Sequence, residues 1–215
     1  MYLPAHFAQH DSAALHALMR ERPLATLVVR QADGGITADL VPLHFEPPGS
    51  AGDGQHGLLR GHVARANPLW RAAGADVLAV FHGPQAYVTP SWYPSKREHG
   101  KVVPTWNYSM VQARGLLRTV DDAPWLRALV GLLTDSHEAG RASPWSVDDA
   151  PQDYVQQMLR GIVGIEIPLS SLLGKWKLSQ NRSAADIAGV SLGLTEEPLD
   201  SARQMAAQLP AGRRR

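Results

Sequence analysis

Short runs rich in aliphatic and β-branched residues recur along this chain, punctuated by glycine, proline and aspartate, and they predict strands. The first covers residues 24–30, and Asp33-Gly34-Gly35 predicts a hairpin into a second over 36–45. A flexible loop is expected over 47–54 and a third strand over 57–63. Residues 77–81 read as a buried strand that Gly83-Pro84 turns into 86–89. Further strand is expected at 102–103 and 110–120, around a turn at Trp106, and a last strand at 161–167, closed by Pro168.

Helical spacing appears between these runs. Ala14, Leu15, Leu18 and Met19 make a stripe over 11–22, capped by Asp11 and ended by Pro23. Asn67 and Pro68 suit the start of a short helix. Leu126, Leu129, Val130 and Leu133 define a helix capped at Asp121-Asp122, and 153–159 a shorter one. Ser183 with Asp186 three residues on has capping-box spacing, and 201–209 predicts a terminal helix. Many short antiparallel strands with helices outside imply a closed or half-open barrel, not a doubly wound sheet. The late strand at 161–167 argues for one domain completed by the C-terminal half.

Composition narrows the function classes. The 215 residues suffice for one domain with a sizeable core, and 44% hydrophobic with 19% charged residues is ordinary for a soluble globular protein. A net charge of +1 gives no overall field for nucleic acid or anionic membrane. With no cysteine there is no disulfide, no thiolate metal site and no cysteine nucleophile, which fits a reducing cytoplasm. No signal peptide is read at Met1–His6, and no apolar run reaches membrane-spanning length.

Candidate chemistry concentrates between Val80 and Tyr108. Two Pro-(Ser/Thr)-Trp units flank a charged loop at 95–101: Pro90 with Ser91, Trp92 and Tyr93, and Pro104 with Thr105, Trp106 and Asn107. Each joins a fixed backbone, a hydroxyl and a flat ring with a polar tip, as a wall for a flat polar ligand requires. The same residues equally suit a core or dimer interface. At 61–68, His62, Arg65 and Asn67 sit where a strand runs into a helix, an arrangement for phosphate or simply for a capped helix with a solvated arginine. Residues 175–182, with Lys177, Gln180 and Asn181, are dense in donors that serve an anionic ligand or an exposed turn. Gly189-Val190-Ser191-Leu192-Gly193 matches the nucleophile-elbow pattern but lacks the strand before and helix after it. Nine histidines show no metal-ligand spacing, no single one stands out as a haem ligand, and no glycine-rich nucleotide loop is present.

Together, Met1-Tyr2-Leu3-Pro4, Ala25-Thr26-Leu27-Val28, the segment from Gly61 to Trp70, Phe81-His82-Gly83-Pro84, Tyr87 to Tyr93, Val103 to Tyr108, Ile162 to Ile167 and Lys177 to Arg182 resemble the PaiB-type, FMN-binding negative transcriptional regulators. The resemblance spans about residues 1–190. It implies a β-rich α+β fold, an antiparallel split β-barrel with peripheral helices like the pyridoxamine-phosphate-oxidase proteins, over residues 1–194. Barrel strands are expected at about 24–120 and 161–168, a helical insert at 121–160, and a helix and tail at 195–215. It implies a cytoplasmic homodimer holding FMN at the subunit interface. The His62-Arg65-Asn67 segment would hold the phosphate, and Asp39 and Leu40 would line the isoalloxazine. The Pro-Trp residues with Lys177, Gln180 and Asn181 would close the pocket. The family commonly has Thr-His where this chain has Asp39-Leu40. Repression of transcription comes with the resemblance alone: there is no helix-turn-helix, and only Arg213-Arg214-Arg215 clusters positive charge, so DNA or a regulatory partner has no motif behind it. An FMN-dependent oxidoreductase and a haem-handling protein on the same barrel are the alternatives.

Overall fold

In the computed structural model, which describes residues 1–31, 33–49 and 54–210, a two-residue strand β1, Ala8–Gln9, precedes helix α1, Ser12–Glu21. Asp11 Oδ1 accepts the Ala13 N–H at 2.9 Å, the capping role its position predicts. The first apolar run is β2, Leu24–Arg30. It turns at Gly34 (φ +86°) into β3, Ile36–Pro42, with Arg30 opposite Ile36. The expected 36–45 strand breaks at Leu43, whose N–H donates to Pro23 O at 2.9 Å. After it, β4 (His44–Glu46) pairs with β5 (Leu58–Ala64). The predicted 47–54 loop lies partly, and the arginine tail wholly, outside the described residues.

Two predicted strand ends are strand interiors. β6 runs unbroken over Asp76–Val88, through Gly83-Pro84. A Cβ at Gly83 would come 2.1 Å from Ser109 Oγ, so this glycine marks a close approach and not a turn. Pro84 lies beyond Val80, the last β6 residue opposite β2, so its missing N–H costs that ladder nothing. Further on, α2 (Ser95–His99), ended by Gly100 at φ +66°, occupies the expected charged loop. β7 spans Thr105–Leu116, so Trp106 is a strand residue, and β8 is Arg118–Val120. Helix α3 is Ala123–Glu138, with Asp122 Oδ1 accepting the Trp125 N–H at 2.8 Å, and α4 is Gln152–Arg160. β9 continues from Ile162 through Pro168 to Lys177. Pro168 stands opposite Leu58, where the β5–β9 ladder ends, so the proline is tolerated. Ser183 caps α5 (Ala184–Glu196) through the Asp186 N–H at 3.1 Å, and α6 is Asp200–Gln208.

The hydrogen-bonded strand order is β3-β2-β6-β7-β9-β5-β4, with β1 and β8 also paired to β9, and the registered pairings are antiparallel. The chain condenses into two compact units, and β6, β7 and β9 contribute residues to both.

The larger unit holds residues 19–81 and 112–172. Alternate residues of β2, Ala25, Leu27 and Val29, are fully buried, as are Ile165 and Ile167 of β9. A Cβ at Gly164 would come 2.3 Å from the Trp125 ring, so this glycine lets α3 lie on the sheet. Arg60 ties β4, β5 and β9 together through Glu46 (2.6 Å) and Glu166 (2.9 Å), all three side chains less than a quarter exposed. The other unit holds residues 1–18, 82–111 and 173–215. Val88, Tyr93, Val190, Leu194 and Met205 form its core, with Trp92 and Trp176 packed against it. Here α6 is structural: Met205 is fully buried. Among the described residues no helix is long and apolar enough to cross a membrane.

Candidate functional site

In the unit of residues 1–18, 82–111 and 173–215, the end of β9 places three cations together. Because β9 continues past Pro168, Lys175 and Lys177 share one face of a strand. Lys175 is buried; its Nζ donates to Tyr2 O at 3.0 Å and lies 5.6 Å from the Tyr2 ring and 5.5 Å from that of Tyr108. Lys177 Nζ donates to Thr105 Oγ1 and, at 2.7 Å, to Trp106 O. The Arg182 guanidinium lies 4.8 Å from the Tyr93 ring. All these partners are neutral. Burial first, then the neighbouring charges of Lys175 and Arg182, holds the Lys177 ammonium below its usual range. The group is a positive centre short of negative charge.

Beside it is a small polar cavity of about 40 Å³ lined by Thr105, Asn107, Lys177, Ser179, Asn181 and Arg182. Asn107, fully buried, donates to Ser179 Oγ at 3.0 Å. Ser179 is at φ +63°, a turn conformation that Gln180 secures: its Oε1 accepts the Leu178 N–H at 2.7 Å and its Nε2 donates to Trp176 O at 2.6 Å. So the structure brings Thr105, Asn107, Lys177 and Asn181 together, while Gln180 shapes the turn carrying two of them. Pro104 is exposed just before β7. Trp106 alternates away from Asn107 and is 49% exposed; its Nε1 donates to Gln85 Oε1 at 3.0 Å and its ring meets Tyr87 edge-on at 6.0 Å.

The first Pro-Trp unit has other neighbours. A Cβ at Gly189 would come 2.0 Å from Trp92 O, and one at Gly193 2.3 Å from the Trp92 indole. The two glycines of the G-x-S-x-G match are therefore one face of α5, kept bare for Trp92. Tyr93 is buried, and burial pushes its phenol up. Ser91 is exposed and accepts from Lys96 Nζ at 3.3 Å.

The remaining predicted residues belong to the unit of residues 19–81 and 112–172. Asn67 Oδ1 accepts the Leu69 N–H at 2.8 Å, capping a single 3-10 turn, Pro68–Ala72, and its Nδ2 donates to Asp39 Oδ1 at 3.0 Å. Leu40 is 67% exposed on β3. His62 Nδ1 is buried with no hydrogen-bond partner among the described residues, and burial lowers its pKa. Arg65 forks onto Asp121 at 2.9 and 2.6 Å and also donates to Arg160 O and Ile162 O. These bonds raise the Arg65 pKa and hold the Asp121 carboxyl below its usual range. The guanidinium is already neutralised within the chain.

Of the donor-dense run 175–182 only Lys177, Gln180 and Asn181 were expected in the pocket, and the structure adds Lys175, Ser179 and Arg182 to the arrangement. Their signal was present in the i, i+2 lysines and the polar run after them, and it was hidden by reading Pro168 as a strand end. Asp121, read as a cap, is instead the partner of Arg65, which no local pattern announces across 56 residues.

Residues 1–171 match the family model described as "Putative FMN-binding domain". The chain is similar to "Protease synthase and sporulation protein PAI 2" of Bacillus subtilis, 32% identical over 96% of this chain and 95% of that protein. It is also similar to the uncharacterised protein AN0679 of Emericella nidulans, 33% identical over 96% of this chain and 95% of that one. Among solved structures, the FAD and haem binding protein of Mycobacterium smegmatis aligns with a TM-score of 0.57 at 19% identity, over 84% of this chain and 78% of that one. The fold is the antiparallel β-rich α+β class of the flavin-binding split barrels.

Proposed function

Since the chain belongs to the family described as "Putative FMN-binding domain", we propose that it binds FMN and serves as a flavin-dependent regulatory protein. The observation that carries the reading is the cation cluster of Lys175, Lys177 and Arg182, held by neutral partners beside a polar cleft. A phosphate dianion supplies the missing negative charge. Arg65, the phosphate residue the resemblance implies, is already paired bidentately with Asp121 and is the weaker candidate. The cleft of about 40 Å³ takes a group of the size of one water or a few oxygens, not a tricyclic ring. The flavin ring therefore needs additional surface, for which the exposed Trp106 and Tyr87 offer aromatic faces and a second copy of the chain offers the rest. Exposed Ile36 and Leu40, four residues apart and so on one face of β3, support such a homodimer. Bound FMN would supply one- or two-electron redox chemistry.

Regulation through direct reading of DNA has little support. In the helix pair α5–α6 the second helix carries Asp200 and Arg203, hydrogen-bonded to one another, and so no basic face. The regulatory role is read only from the resemblance of the sequence segments to the PaiB-type regulators and would act through a partner or a bound signal.

The test is titration of FMN by quenching of its fluorescence, with subunit number from light scattering. Loss of the Lys177 charge in Lys177→Ala weakens FMN about tenfold or more, as for a charge-assisted hydrogen bond to phosphate. Arg65→Ala changes it less than about threefold, because that charge is spent on Asp121. The reverse order would return the phosphate to Arg65. Absence of FMN binding to the folded wild-type chain would end the reading.

A further inference from the structure

The unit of residues 19–81 and 112–172 carries a second, half-open cavity, far larger than the cleft beside Lys177, at about 520 Å³. That lies in the range of ~300–1,000 Å³ typical of small-molecule sites. Helices α3 and α4 and the 147–150 segment wall it. Leu126, Val147, Val155 and Leu159 give it an apolar lining, and Leu126, Val147 and Leu159 are themselves buried core residues.

Its charged lining is unbalanced. Arg65, Arg127 and Arg160 line it against two carboxylates, Asp121 and Asp148. Asp121 is taken by Arg65 and Asp148 by Arg127, the latter at 2.5 Å. Among the described residues no carboxylate pairs with Arg160. The cavity therefore carries one positive charge more than it neutralises, beside an apolar surface. Gln152 and Gln156 add amide groups to its lining.

We propose that this cavity is a binding site for a small monoanion with an apolar body, of the class of medium-chain or aromatic monocarboxylates. The apolar body gains by burial against Leu126, Val147, Val155 and Leu159. The single negative charge matches the one unpaired guanidinium, whereas a cation meets it unfavourably and a neutral analogue leaves it unpaired. The cavity shares no lining residue with the cleft beside Lys177. Arg65, the phosphate residue the resemblance implies, does line it but is paired with Asp121, so the excess charge is that of Arg160.

Isothermal titration of the full chain with octanoate tests this, with octan-1-ol and octylammonium as analogues. Octanoate binds with a Kd below about 1 mM, octan-1-ol about tenfold more weakly, and octylammonium more weakly still. Arg160→Gln raises the octanoate Kd about tenfold, and Gln156→Glu, which cancels the excess charge, moves it in the same direction. Both positions are exposed, so both variants keep the fold, checked by circular dichroism. No binding of octanoate at millimolar concentration, equal binding of the alcohol, or unchanged affinity in both variants would each overturn the proposal.

Discussion

Replacing Gly189 by alanine puts the packing of Trp92 on α5 to a quantitative test. The new Cβ would come 2.0 Å from the Trp92 carbonyl oxygen, where an ordinary contact is about 3.5 Å, and 3.3 Å from Pro94 Cδ. A backbone carbonyl cannot swing aside as a side chain can, so the segment carrying Pro90 and Trp92 must move off the helix. Overpacking of this kind costs about 1–3 kcal/mol, and a rigid backbone obstacle places it at the upper end. Alanine returns about 1 kcal/mol in helix propensity. The net expectation is a loss of about 2 kcal/mol, or a Tm about 4–8 °C lower for a chain of this size. Gly131 on α3 is the internal control. Its added Cβ meets only the tip of the Arg127 side chain, at 3.3 Å, which can give way. Gly131→Ala should then keep the propensity gain and raise Tm by about 2 °C. Ser191→Ala, at the centre of the elbow-like motif, should change stability by less than about 0.5 kcal/mol, since the side-chain hydrogen bond at this residue is to its carbonyl, from Thr195 Oγ1, and the alanine keeps that carbonyl. Paired thermal melts by circular dichroism, with urea unfolding to check cooperativity, measure all three. If Gly189→Ala raised Tm as Gly131→Ala does, Trp92 would not rest on that helix, and the account of both glycines would fail.

Two further outcomes are expected. Arg60→Met leaves Glu46 and Glu166 half-buried without their shared cation and should cost about 3 kcal/mol in urea unfolding; a loss under about 0.5 kcal/mol would mean that water already screens both carboxylates. Burial lowers the His62 pKa, so the native chain keeps that ring neutral while the unfolded chain takes up a proton near the ordinary value of 6.5. Stability is then full above that value and falls as the pH drops from it toward the native pKa; the urea midpoint should fall between about pH 7.5 and 5.5, and fall less in His62→Gln, with an identical fall in the variant removing His62 as a cause.

How far the chain could be read before folding depended on the range of the interactions involved. The caps at Asp11, Asp122 and Ser183 satisfy N–H groups two or three residues away, so their sequence signals and their geometry coincide. The β2–β3 hairpin was equally legible, because Gly34 supplies the positive φ that its turn demands. Gly83-Pro84 and Pro168 were misread for the opposite reason. Whether a glycine or proline interrupts a strand depends on which neighbour needs its hydrogen or its empty space, and that neighbour is distant in sequence. The candidate site shows the same division. Thr105, Asn107, Lys177 and Asn181 were singled out by type, but only the extension of β9 put them around one cleft with Lys175 and Arg182.

Local order in the chain settled which segments could be helix or strand, where three helices begin, and that no cysteine chemistry is open to it. Tertiary contact alone settled how the charges and rings are used: Arg65 neutralised by Asp121, Trp92 seated on two glycines of α5, and two lysines left facing neutral oxygens and tyrosine rings. A backbone preference is a property of a few adjacent residues, whereas an electrostatic debt belongs to whatever the fold brings within a few ångströms. For that reason the kinds of side chain in the site could be listed from the chain, and their partners could not.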